Sequence, residues 1–110
     1  MLTELEAGKG RNRQLIAEKT GNGAMPIRII FRFIGRDMYI KGSHSSYSHQ
    51  VVNQMKEKNA LKSYREERGW VKIIFVDTMT EDDVQGELFS KILEGYEQAG
   101  FDCNVTELEL

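Results

Sequence analysis

Apolar and polar positions alternate with a readable period only after the first two dozen residues. "PIRIIFRFI" repeats every second residue: Ile27, Ile29, Phe31 and Phe33 share one face, and Arg28, Ile30, Arg32 and Ile34 share the other. That is the pattern of a β-strand. Gly35 begins a short "GRD" turn, "MYIK" returns as a second strand, and residues 26–41 therefore read as a hairpin. Further on, Val51, Val52, Met55, Leu61 and Tyr64 recur at helical spacing between charged residues. They predict an amphipathic helix, bent or broken near Asn59 and stopped at Gly69. "WVKIIFVD" is nearly continuously apolar and predicts a central strand with both faces covered.

The next helix carries the strongest signals. Thr80 stands at the N-cap position and Asp83 three residues on, as in a capping box. Glu81, Asp82 and Asp83 occupy the first turn, where the helix dipole favours negative charge. Val84, Leu88, Ile92 and Tyr96 form a buried stripe, widened by Phe89 and Leu93, and Gly100 ends it. In "FDCNVTEL" a last strand turns Phe101, Cys103 and Val105 inward and Asp102, Asn104 and Thr106 outward.

Residues 1–24 lack such a period. A short helix near Asn12–Lys19 would have Leu15 and Ile16 as its only large apolar pair. Gly8 and Gly10 oppose a longer one, since glycine costs about 1 kcal/mol relative to alanine in a helix. "TGNGA" reads as a joint. The expected organisation is an N-terminal arm, 1–24, and one domain, 25–110, with the order β-β-α-β-α-β. Two crossover helices would make three of the strands parallel. The expected fold class is α/β (α+β mixed): a two-layer sandwich with a mixed four-stranded sheet and the helices mainly on one face. The other face would show Arg28, Ile30, Arg32, Ile34, Lys72, Ile74 and Val76, an apolar patch ringed by cations. Such a patch calls for a cover. Leu15 and Ile16 of the arm or a second copy of the chain would supply it, or the patch would serve as a binding face for another protein or other partner.

Composition narrows the class. At 110 residues, 40% apolar and 29% charged, the chain suits one globular domain. A lone Cys103 cannot form an internal disulfide. No apolar run is long enough to span a bilayer, and "MLTELEAGKGRNRQ" lacks the apolar centre of a signal peptide, so a cytoplasmic location is expected. The net charge of −2 conceals an asymmetry: residues 1–72 carry 14 Lys/Arg against 7 Asp/Glu, and residues 73–110 carry 1 against 10. Either the fold separates a basic from an acidic surface, or the two halves neutralise each other.

The candidate chemistry lies in "KGSHSSYSHQ", residues 41–50, which holds both histidines. Between a strand end and a helix start, Lys41, Ser43 and His44 form a candidate anion site. Parallel strands would bring Ser43 and His44 near Asp77, giving His44, His49 and Asp77 as candidate catalytic groups. The plainer reading is that the serines are caps and turn formers. His44 and His49 are five apart and share no helix face as ligands would, so no metal is expected, and no cofactor motif is present. "GKGRNR" lacks the P-loop ending.

Three functions remain. The first is a non-enzymatic protein–protein association module, a homodimer through Arg28, Ile30, Arg32, Ile34 and Ile74. The second is nucleic-acid binding by the basic arm, the hairpin and the first helix, weighed against an open face with no aromatic to stack a base. The third is a phosphate-directed enzyme. The exposed acids Glu87, Glu94 and Glu97 could instead steer a basic protein partner.

Overall fold

A computed structural model describes residues 12–21 and 25–109. The elements run β1 (Arg13–Lys19), β2 (Ile27–Ile34), β3 (Asp37–Gly42), α1 (Ser45–Glu57), β4 (Leu61–Glu67), β5 (Trp70–Phe75), a π-helical turn (Asp83–Leu88) leading into α2 (Phe89–Gln98), and β6 (Asp102–Glu107). The fold is a mixed α+β structure: a six-stranded sheet in the order β4-β5-β3-β2-β1-β6, with both helices on one face. Every neighbouring pair is antiparallel.

Three features correct the sequence-based expectation. Arg13–Lys19, expected within an arm, is a strand between β2 and β6. Its alternation puts Leu15 and Ala17 in the core, fully buried, and Ile16 on the opposite face. The rest of the expected arm, residues 1–11 and 22–24, lies outside the described residues. Second, the helix expected to reach Gly69 ends twelve residues earlier, because Asn59 (φ 58°) turns the chain in the left-handed region. The Asn59 and Ala60 N–H groups donate to the Lys56 and Met55 carbonyls, a Schellman closure. The residues that follow form β4, joined to β5 through Arg68 and Gly69, both at positive φ as a tight hairpin turn requires. Third, this extra strand reverses the direction of β5, so β3 and β5 run antiparallel rather than parallel.

The core forms on the predicted face of β2 and on the predicted stripe of the second helical segment, whereas Val105 of β6, expected inward, is exposed. Ile29, Phe31 and Phe33 of β2, Met38 and Ile40 of β3, and Val71, Ile73 and Phe75 of β5 are buried under Val51, Val52 and Met55 of α1 and Val84, Leu88 and Phe89 of the second helical segment. Phe33 meets Phe89 edge-on at 5.0 Å between centroids, and Tyr96 meets Phe101 likewise at 5.0 Å. Full burial of a side chain such as Phe33 contributes about 1.5–3 kcal/mol. The capping box forms: the Thr80 N–H donates to Asp83 Oδ2 at 3.0 Å and the Asp83 N–H to Thr80 Oγ1 at 3.1 Å. The π-helical turn places Gln85 in the interior, where its Nε2 donates to the Gly35 carbonyl and its main-chain carbonyl accepts from Arg13. The Arg13 guanidinium lies 3.6 Å over the Phe89 ring. Arg36 donates to the Val76 and Met79 carbonyls and clamps the turn after β5. Arg13 and Arg36 thus serve the fold. Among the described residues no helix is long and apolar enough to cross a membrane.

Candidate functional site

Both helices pack on one face of the sheet, and among the described residues no element covers the other, open face. Antiparallel register sets its side chains in rows. Arg65, Lys72, Tyr39, Arg32 and Gln14 are successive cross-strand partners. Lys41, Ile30 and Ile16 form the next row. Arg28, Ile30, Arg32, Ile34 and Ile74, the residues expected to meet a partner, therefore do share this surface, and Ile16 joins them from β1. β5 is covered on one face only: Val71, Ile73 and Phe75 are buried, whereas Trp70, Lys72 and Ile74 are half-buried on the open side.

Two aromatics stand here that the strand pattern could have revealed. Trp70 has the parity of Lys72 and Ile74, and the β2–β3 hairpin register sets Tyr39 opposite Arg32. The expectation of a face without aromatics is thereby corrected. The Arg32 guanidinium carbon lies 4.6 Å from the Trp70 ring centroid, Lys41 Nζ 5.6 Å from the same centroid, and Lys72 Nζ 5.6 Å from that of Tyr39. On the same face Ile16, Ile30, Ile34 and Ile74 are half-buried.

Charge on the face is mixed but locally unbalanced. Arg28 pairs with Glu18 at 3.6 Å, Lys72 with Asp37 at 3.6 Å, and Arg65 with Glu67 at 2.6 Å. Arg32 Nε instead donates to the neutral Gln14 Oε1 at 2.8 Å, and neither Arg32 nor Lys41 has a carboxylate partner among the described residues. Burial draws the Lys72 ammonium pKa down, but its contacts with Tyr39 and Asp37 outweigh this and leave it raised. The uncompensated cations flank Trp70.

Two shallow grooves meet at Trp70 and Arg32. One, of about 440 Å³, is lined by Arg28, Ile30, Arg32, Lys41, Gly42, Ser43 and Trp70. The other, of about 330 Å³, is lined by Arg32, Ile34, Tyr39, Glu67, Arg68 and Trp70. Across both, the cations are Arg28, Arg32, Lys41 and Arg68, and the carboxylate is Glu67, held by Arg65. Two of the three residues expected to hold an anion, Lys41 and Ser43, line the first groove. Ser43 is fixed there by two bonds to Arg28: its N–H donates to the Arg28 carbonyl at 2.8 Å, and its Oγ accepts from the Arg28 N–H at 3.2 Å. Gly42 is required beside it, since a Cβ would lie 2.9 Å from the His44 carbonyl oxygen and 3.0 Å from Tyr47 Cβ.

The remaining candidates do not converge. His44 stands at the N-cap of α1 without a side-chain capping bond, edge-on to Tyr47. His49 is exposed one turn into the helix. Antiparallel pairing puts the end of β3 beside the start of β5, whereas Asp77 follows the opposite end of β5 and pairs with Lys62 at 3.2 Å. The expected approach of Ser43 and His44 to Asp77 depended on parallel strands and does not occur.

No protein-family model, curated protein or solved structure matches the chain. On the helical side, α1 and α2 border a third groove of about 380 Å³ floored by Ile29, Met55, Leu88, Ile92, Tyr96 and Phe101. Glu87, Glu94 and Glu97 are exposed on the second helical segment, with Glu87 paired to Lys91 at 3.1 Å. The charge asymmetry of the sequence is thus partly spatial: acids dominate that helix, and the open face carries the unpaired cations beside four acids, Glu18, Asp37, Glu67 and Asp102.

Proposed function

We propose that the protein binds nucleic acid along the open face of its sheet. The observation that carries the reading is Trp70, flanked by two cations without carboxylate partners, Arg32 and Lys41, where two grooves meet. A polyanion neutralises such charges and releases counterions as it binds, while an aromatic ring offers its π-face to a base. The surface differs from the arm, hairpin and first helix that composition suggested. Among the described residues the hairpin contributes together with β5: α1 lies on the other face, Arg13 donates to the Gln85 main-chain carbonyl and Arg36 to the Val76 and Met79 carbonyls, while Lys9 and Arg11 lie outside the described residues.

Association with a second copy through the same face is the alternative, and the half-buried row Ile16, Ile30, Ile34 and Ile74 favours it. Against it, a two-fold contact centred on Trp70 would set Arg32 and Lys41 against their own copies, and like charges brought together across an interface are costly. The test is fluorescence anisotropy of a labelled 12-nucleotide oligonucleotide over a salt series, with light scattering on the same samples. Engagement of three or four cations predicts a slope of log K against log salt of roughly −2 to −3, and Arg32→Ala with Lys41→Ala should reduce its magnitude by about 1.4. Absence of binding at low salt, or an unchanged slope in the double variant, would refute the proposal. A stable dimer whose mass ignores the oligonucleotide would establish the alternative.

A further inference from the structure

Resting on the nucleic-acid reading, we propose that the ligand is a single strand, with adjacent bases splayed onto the Trp70–Arg32 stack and the Tyr39 ring and read without regard to sequence. Reading a duplex from its major groove requires a helix or ribbon that projects into it. Both described helices lie on the far side of the sheet, and among the described residues nothing beyond side chains stands up from the open face. A single strand has unstacked bases that can lie flat on such a surface.

The strand positions of the two aromatics point the same way. Tyr39 is directly opposite Lys72, two residues along β5 from Trp70, so the two aromatics are diagonal neighbours on adjacent strands. Diagonal positions are about 7–8 Å apart. That is roughly twice the ~3.4 Å rise per nucleotide of a stacked strand. Neighbouring bases could therefore occupy both rings only after separating from each other. The cations are placed for the linking phosphates: Arg32 and Lys41 at Trp70, and Lys72 at Tyr39. The Arg32 guanidinium, which already covers the indole, is itself a plane on which a base can stack.

Few groups are available to read base edges. Besides the Trp70 indole N–H, the neutral hydrogen-bonding side chain lining the first groove is Ser43, whose Oγ already accepts from the Arg28 N–H. Stacking without edge contacts tolerates any sequence.

Trp70 is the only tryptophan of the chain, so its emission reports on this surface alone. The experiment titrates the full chain with (dT)12, (rU)12, a mixed-sequence 12-mer and a 12-base-pair duplex, following Trp70 emission and, in parallel, anisotropy of labelled oligonucleotide. The expected result is quenching by all three single strands with affinities within about five-fold of each other, at least ten-fold weaker duplex binding, and a loss of roughly ten-fold or more for Tyr39→Ala and for Trp70→Ala. Trp70→Phe should recover part of the loss. Urea unfolding of each variant confirms that it is folded, and Tyr39→Ala keeps the test alive if Trp70→Ala is not. Binding by anisotropy with unchanged emission and unaffected variants would overturn the stacking proposal and leave the nucleic-acid reading standing. Equal or tighter duplex binding would overturn the single-strand assignment in the same way. Failure of every oligonucleotide to bind, with poly-glutamate binding instead, would overturn both readings in favour of an acidic protein partner.

Discussion

Alanine substitution at two adjacent residues, Leu15 and Ile16, tests the least expected part of the fold. Leu15 is fully buried on the core face of β1, and Ile16 is half-buried on the open face. Removing three methyl or methylene groups at about 0.8 kcal/mol each costs roughly 2.4 kcal/mol of transfer free energy at Leu15. The cavity left in the core raises the loss to about 3–4 kcal/mol. At Ile16 half the burial and an open surface that can relax bring the cost to about 1 kcal/mol or less. A domain of this size has about 5–15 kcal/mol in total, so Leu15→Ala should remove a large fraction of it. Urea unfolding followed by circular dichroism gives both values, and the midpoint of Leu15→Ala should fall far below that of Ile16→Ala at similar m. A chain beginning at Met25 should fail to fold, because β6 pairs only with β1 and β2 would lose a neighbour. Equal, small losses at both positions, or a stable 25–110 fragment, would refute the placement of β1 in the sheet and restore the arm.

Two further expectations concern the loop and the cap. Gly42→Ala should destabilise by about 1–3 kcal/mol, because the new methyl group meets backbone at His44 rather than a yielding side-chain tip, and it should also weaken oligonucleotide binding by moving Ser43; urea unfolding and anisotropy read the two effects. The Thr80 N–H and hydroxyl hold the Asp83 carboxyl below its ordinary pKa. Its contribution to stability is therefore complete above the unfolded value near 4 and is lost as pH falls through the depressed folded value. Asp83→Asn should flatten that acid limb of the stability curve while leaving its neutral-pH shape intact, which urea midpoints between pH 2 and 6 measure.

Local signals located most elements. The period-two run at Ile27–Ile34 identified both the strand and its core face, and Thr80 with Asp83 identified the start of the second helical segment through bonds that form within four residues. Gly100 closes that helix at positive φ, with the Phe101 N–H donating to the Tyr96 carbonyl. Even Asn59 was visible as a break. β4 was not visible, because Leu61–Glu67 is composed largely of helix-compatible charged residues and lies at a sheet edge where nothing but Leu61 packs on the core. The candidate site was half legible. Arg28, Ile30, Arg32, Ile34 and Ile74 follow from parity, as do the faces of Tyr39 and Trp70, but that these two aromatics are neighbours needed the pairing of β3 with β5.

What this sequence determines by itself is therefore everything that a few consecutive residues can enforce: periods, caps, turns, and the division of each strong strand into an apolar and a polar side. Tertiary structure decided the identity of β1 and β4, since a polar segment becomes a strand only when distant partners complete its hydrogen bonds. It also decided strand direction, because one additional hairpin reverses β5. That reversal carried Asp77 away from Ser43 and His44 and brought Trp70 to the end of the sheet where Lys41 and Ser43 lie, so the surface proposed to bind is a product of long-range pairing and not of any local motif.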